Sequence, residues 1–281
     1  MDIILTGVAR SGTTLSCSLL NQLPQCVALH EPMNPAELSG LEFPQGYMSR
    51  VGEFFASQRA SLMASGVAVT KGADGRVPDN PFGSVRESSG LRMSTVTAQE
   101  VNFGKRLEPG FRLVMKHPNL FTATLGALRE KYPCYAIVRN PLASLLSWHS
   151  VNAPVNSGRL PFGEAFDPAL KAALEAQPDR LERQLTILRW YFDQYSSLLP
   201  RHHVIRYEDI VATGGSALGV IDPAASQLAA PLRSRNRSLE YDASIVRPLA
   251  ERVLSAEPAY CSFYRASEVT SLRDAWLAGA G

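Results

Sequence analysis

Near the N-terminus, Gly7-Val8-Ala9-Arg10-Ser11-Gly12-Thr13-Thr14 separates an apolar run at residues 3–6 from a stretch carrying Leu15, Leu19, Leu20 and Leu23 at helical spacing. A glycine-containing turn between a strand and a helix gathers backbone N–H groups at a helix N-terminus, where the helix dipole also favours negative charge. The N–H groups of residues 11–14 are therefore predicted to cradle an oxyanion. A Walker loop needs lysine before its last Ser/Thr to reach the outer phosphates of a nucleoside triphosphate. That position is Thr13, and the cation of this loop is Arg10. The residues predict a phosphate cradle without the triphosphate-reading lysine.

Other polar residues stand where apolar runs stop. Residues 134–138, Cys-Tyr-Ala-Ile-Val, read as a buried parallel strand. Arg139-Asn140-Pro141 follows, with Asn suited to cap a helix and Pro to open it. Arg139, at a strand's carboxyl end, has the fork geometry for bidentate pairing with phosphate. Ser144 and Ser147, three residues apart, share one face of the helix after it. Glu31 follows the apolar run 27–29 and His30, Lys116 closes the run 111–115, and Tyr207-Glu208-Asp209 follows Val204-Ile205. His30 is a rival base to Glu31, but neighbours on an extended segment point to opposite sides, so only one of the two is expected to face a ligand.

These segments, in this order, resemble the cofactor framework of sulfotransferases that use 3′-phosphoadenosine 5′-phosphosulfate (PAPS). Arg10-Ser11-Gly12-Thr13-Thr14 looks like their 5′-phosphosulfate loop, in the arginine form of the tyrosylprotein and Golgi-type branches and their bacterial relatives. Position 9 is Ala where the tyrosylprotein branch usually has Pro. The segment from Arg139 to Ser147 resembles the second motif, an arginine ending a buried strand with a serine eight residues on. The resemblance implies that Arg10, Ser11, Gly12, Thr13 and Thr14 hold the 5′ end of PAPS, that Arg139 and Ser147 bind its 3′-phosphate, and that adenosine 3′,5′-bisphosphate is released. Glu31, 21 residues after Arg10, matches the catalytic glutamate; a closed cleft would raise its pKa and suit it to act as general base. Lys116, in a Lys-x-Pro segment, matches the lysine that stabilises the transition state, and it is one of only five lysines among 28 basic residues. Arg10 and Lys116 are thereby implied to neutralise the moving sulfuryl group and the leaving phosphate. Tyr207 is implied to contact the nucleoside. Val151 stands where the tyrosylprotein branch tends to carry a further arginine, so phosphate contacts are fewer or come from elsewhere. The resemblance spans roughly residues 1–32 and 111–150 and the segment near 207.

Runs of strand character alternating with helical periodicity imply an α/β fold, P-loop-like and three-layered, with a central, mostly parallel sheet flanked by helices. Helices are expected over 122–131, from 142 to at least 148, and over 179–199, where apolar residues fall at helical spacing. Residues 51–63 are a further helix candidate, and the part beyond 223 reads as irregular and helical. Residues 1–281 are read as one domain with an acceptor-binding insertion around 34–109. Within it, residues 71–90 are rich in Gly, Pro, Asp, Asn and Ser and read as a polar functional loop.

Composition narrows the class of partner. Hydrophobic residues make up 45% and charged residues 19% of 281, and 28 basic side chains oppose 26 acidic ones. That balance argues against a nucleic-acid coat, and no apolar run is long enough to cross a bilayer. The start Met1-Asp2-Ile3 lacks the form of a secretory signal, and four scattered cysteines lack metal-ligand spacing and read as reduced thiols. The expected setting is cytoplasmic, with no metal. The expected partner is a hydroxyl-bearing acceptor: a carbohydrate, lipid, small metabolite or peptide tyrosine. A P-loop kinase or NTPase, or a non-catalytic nucleotide-binding module, is the alternative reading. The missing lysine argues against the first, and the positions of Glu31 and Lys116 against the second.

Overall fold

The computed structural model describes residues 1–38, 40–256 and 260–278. Its strands are β1 (Asp2–Gly7), β2 (Cys26–His30), β3 (Val67–Gly72), β4 (Phe82–Arg86), β5 (Arg92–Ser94), β6 (Thr97–Asn102), β7 (Arg112–Lys116), β8 (Cys134–Val138) and β9 (Val204–Arg206). Five of them form one sheet in the order β2-β7-β1-β8-β9, every neighbouring pair parallel. The fold is α/β, a parallel sheet covered by helices on both faces.

Strand alternation divides the core. Ile4, Val27, Leu29, Leu113, Met115, Ala136 and Val138 face one layer, packed against Tyr47, Val51 and Phe55 of the helix Gln45–Ser65 and Leu188, Tyr191 and Tyr195 of the helix Arg180–Leu198. Ile3, Leu5, Ala28, Val114 and Ile137 face the other, against Cys17, Leu19 and Leu20 of the helix Thr13–Leu20 and Ile210 of the helix Tyr207–Ala212. Burial on both faces is why these strands read as continuous apolar runs. Cys17, Cys26 and Cys134 are buried thiols in this core.

Two expectations are corrected. The helix predicted over 122–131 is instead Pro118–Ala123 and Leu125–Leu128, interrupted at Thr124. The Thr124 hydroxyl meets Leu120 O at 2.9 Å and Tyr47 Oη at 2.9 Å, and a threonine that bonds backbone in this way competes with helix continuation. The predicted polar loop over 71–90 contains regular structure: β3 pairs antiparallel with β6, and β4 with β5. β4 is mostly exposed and carries no apolar alternation, so the period-2 signal is missing. The short helices Pro161–Phe166 and Pro168–Ala176 also went unread, being barely two turns long.

Among the described residues no helix is long and apolar enough to cross a membrane.

Candidate active site

All five strands of the parallel sheet deliver polar residues from their carboxyl ends, where ligands of open α/β sheets bind. The loop after β1 carries Arg10 and Gly12, Glu31 follows β2, Lys116 ends β7, Arg139 follows β8 and Tyr207 follows β9. These side chains line one cavity of about 800 Å³. Seven Lys and Arg side chains line it against two carboxylates, Glu31 and Asp79, so the cavity favours an anionic occupant.

The loop forms a cradle at the start of the helix Thr13–Leu20. Gly12 occupies the N-cap with φ +95°, and no side chain caps the helix. Ser16 N donates to Gly12 O at 2.9 Å, which leaves the amides of Thr13, Thr14 and Leu15 without an intrahelical acceptor. A Cβ added at Gly12 would come within 2.7 Å of Tyr207 Cδ2, so the glycine lets Tyr207 lie directly on the loop. The loop's outer backbone is held by Trp148 Nε1, which donates to Ala9 O at 2.7 Å. Ser11 does not join the cradle: its N–H donates to Val8 O at 3.0 Å and its hydroxyl to Ile137 O at 2.8 Å. The first bond closes a turn within the loop and the second fastens the loop to β8, so neither donor is free for a ligand.

Beside the cradle stands a charged pair. Lys116 Nζ lies 3.0 Å from Glu31 Oε1 and 3.4 Å from Thr14 Oγ1. Lys71, at the end of β3, holds the other Glu31 oxygen at 2.8 Å. His30 Nε2 lies 3.5 Å from Glu31 Oε1, so His30 and Glu31 share one side, contrary to the alternation expected of an extended segment. The reason is local: Glu31 has φ +45°, a left-handed turn that ends the strand's alternation. A raised Glu31 pKa is also corrected. Burial pushes it up, but Lys116, the His30 hydrogen bond and Lys71 together hold it well below the usual carboxylate range. Burial and the Lys116 charge lower His30 to about 4, and burial lowers His117 to about 3. At neutral pH the site thus holds an ionised Glu31 beside two neutral imidazoles.

On the far side of the cradle, Arg139 faces the crevice beside residues 10–14. Its Nη1 donates to Arg10 O at 3.0 Å, its Nε to Asn236 Oδ1 at 2.8 Å and its Nη2 to Tyr241 Oη at 3.3 Å, while the guanidinium lies 4.6 Å from the Tyr207 ring centre. Three of its five N–H groups are used within the protein, leaving two for a ligand. Arg10 belongs to this group and not to the Lys116 pair: its Nε donates to Ser147 Oγ at 3.3 Å, its Nη2 to Asn80 Oδ1 at 3.0 Å, and it stacks 4.5 Å from the Phe82 ring centre. Ser147 is fully buried beneath it and is absent from the cavity wall.

Sequence reasoning missed several residues. Lys71, Asn80, Phe82 and Arg92 reach the cavity from the 34–109 region, and Arg235 and Tyr241 from the C-terminal part. Glu208 is a hub: one carboxylate oxygen accepts from Asn140 N at 3.0 Å and Asn236 Nδ2 at 2.8 Å, and the other from Tyr264 Oη at 2.7 Å. The reading of residues 71–90 as a functional loop covers Lys71, Asn80 and Phe82 without singling out any of them. The others sit in segments whose pairing the local pattern does not encode.

Neither a protein-family model nor a curated protein matches the chain. Among solved structures it is similar to a sulfotransferase from Alicyclobacillus acidocaldarius, at 13% identity over 97% of this chain and 94% of that one, with a TM-score of 0.42. It is also similar to the sulfotransferases STF9 from Mycobacterium avium (15% identity, 90% and 76% covered, TM-score 0.36) and STF1 from Mycobacterium tuberculosis H37Rv (15% identity, 89% and 75% covered, TM-score 0.34).

Proposed function

We propose that this chain is a sulfotransferase that moves the sulfuryl group of PAPS to a hydroxyl acceptor, with Glu31 as general base. One observation carries the reading. The Glu31–Lys116 pair and the Arg139 group flank an uncapped helix N-terminus inside one cationic cavity, so a ligand with anionic groups at both ends has a partner for each.

The residues fit such a donor. The free amides of Thr13, Thr14 and Leu15, with Lys116, would receive the 5′-phosphosulfate. Arg139 would receive the 3′-phosphate, and Tyr207, lying on Gly12, would pack against the nucleoside. PAPS supplies an activated sulfuryl group, so the protein's task is positioning and charge stabilisation. Lys116 is shared between Glu31 and Thr14. An anion at the helix N-terminus draws Lys116 toward itself and away from Glu31, which removes the largest influence holding the Glu31 pKa down. Glu31 then becomes a stronger base toward an acceptor hydroxyl only when the donor end is filled. Arg10, bound to Ser147 and Asn80, serves the Arg139 end, and charge neutralisation at the transferring group falls to Lys116 and the helix amides.

The test is calorimetric binding without magnesium. Adenosine 3′,5′-bisphosphate is expected to bind at least about tenfold more tightly than AMP, the scale of a charged hydrogen bond. A preference for Mg·ATP would overturn the reading. With radiolabelled PAPS and a panel of hydroxyl acceptors, Glu31→Gln is expected to lose about 10²–10⁴-fold in turnover while keeping its nucleotide affinity. Undiminished turnover would move the base to His30.

A further inference from the structure

Arg92 opens β5, and its backbone is clamped to the segment that follows the helix Pro141–His149. Its N–H donates to Ser150 O at 3.1 Å, its carbonyl accepts from Asn152 N at 2.9 Å, and it forms an isolated parallel bridge with Val151. Its Nη2 donates to Ser150 Oγ at 2.8 Å. The residue is only 4% exposed, yet it lines the cavity, and its Nε has no hydrogen-bond partner. The carboxylate nearest that nitrogen, Glu240 Oε2, is 4.0 Å away and already pairs with Arg86 Nη2 at 2.6 Å. A buried guanidinium with an unused donor is costly unless an anion completes it.

Its surroundings point to that anion. Burial, followed by the like charges of Arg92, Arg139 and Arg235, brings Arg10 down to about 10. Arg10, Arg92, Arg139 and Tyr241 line the same cavity, and the Tyr241 hydroxyl accepts from Arg139 Nη2 at 3.3 Å. Ser147 lies behind this group, accepting from Arg10 Nε at 3.3 Å, and supports Arg10 without reaching the cavity.

We propose that Arg92 is a phosphate-binding residue of the second anion site, where with Arg10 and Arg139 it takes the 3′-phosphate of the nucleotide. The inference rests on the donor reading above. The Arg92–Val151 bridge brings this cation to the end of the segment that follows Arg139 from a distant part of the chain. The 34–109 region thereby serves the donor nucleotide as well as the acceptor side.

The experiment measures adenosine 3′,5′-bisphosphate and AMP binding by calorimetry for the wild type, Arg92→Ala and Arg92→Lys. Arg92→Ala is expected to weaken the bisphosphate by about 10–100-fold and AMP by less than about threefold, so the ratio between the two ligands collapses. Arg92→Lys keeps the charge but not the fork and falls between; it reads the same ratio should the alanine variant unfold. A wild-type preference for the bisphosphate that persists in both variants overturns the role of Arg92 and leaves the donor reading standing. No wild-type preference overturns both. Unchanged nucleotide affinity with a raised acceptor KM assigns Arg92 to the acceptor and likewise overturns the proposal.

Discussion

Glu31 is held between opposing influences. Burial alone would favour its neutral acid, but Lys116 at 3.0 Å, His30 and Lys71 at 2.8 Å keep it ionised. The histidines beside it carry the complementary signature. His30 and His117 are kept neutral chiefly by burial, at about 4 and about 3, and His117 Nε2 accepts from Met33 N at 3.2 Å. Both folded pKa values lie below the unfolded value near 6.5, so the unfolded chain binds more protons at mildly acidic pH. The stability they contribute is whole above about pH 6.5 and is lost as pH falls toward 4 and 3. Each should cost about 2 kcal/mol between pH 7 and pH 5. Glu31 adds little in that window, because its unfolded carboxyl takes up most of its proton below pH 5. Urea denaturation at pH 7, 6 and 5 should show the decline, and His117→Asn, which can still accept from Met33 N, should flatten it by about half. An equal slope in the variant would show that His117 charges freely in the folded protein.

At the scale of elements, the site is built where backbone leaves ordinary conformations. Among the described residues, Arg10 (φ +68°), Glu31 (φ +45°) and Asp74 (φ +51°) are the non-glycine residues with positive φ. Two of them are at the ends of β1 and β2, facing the cavity. Strain of this kind persists only where surrounding contacts over-determine it. For Arg10 those contacts are Ser147, Asn80 and Phe82, and for Glu31 they are Lys116, Lys71 and the bond from its own N–H to Lys116 O at 2.8 Å. Gly12 has φ +95° and no room for a Cβ beneath Tyr207. Gly12→Ala is therefore expected to lose about 1–3 kcal/mol of stability and to displace Tyr207, weakening adenosine 3′,5′-bisphosphate. Denaturation and calorimetry on the same preparation test this; wild-type stability together with wild-type affinity would contradict it.

Across the whole molecule, distant segments converge on one arginine-rich end of the cavity. Asn80 and Phe82 hold Arg10, β5 places Arg92, and Asn236 and Tyr241 hold Arg139. The β4–β5 hairpin between them is largely exposed at its tip, with Arg86 fastened to Gly90 O and Glu240. Few buried contacts make such a hairpin a site of local opening, and a ligand bound at its base stabilises the closed form by mass action. Saturating adenosine 3′,5′-bisphosphate is thus expected to slow tryptic cleavage at Arg86 several-fold, while AMP has a smaller effect. Peptide mapping reads the rate, and equal cleavage with and without the bisphosphate would separate the hairpin from the nucleotide end.

The strands of the central sheet, the glycine-containing loop before the first helix and the capped helix after Arg139 were legible because each is written in local chemistry: apolar runs buried on both faces, a glycine at a helix start, Asn-Pro at a cap. Glu31, Lys116, Arg139 and Tyr207 were legible because each closes such a run. Contacts between segments far apart in sequence were decided only by the tertiary structure. It turned Ser11 into a fastener, put Ser147 behind Arg10, and reversed the direction of the Glu31 pKa by adding Lys71 and Lys116. It also brought Arg92 to the cavity from β5, a strand of three residues that is too short to show alternation. Local sequence encodes backbone preference and which face is buried, whereas side-chain partners and charge balance depend on what packing brings within a few ångströms.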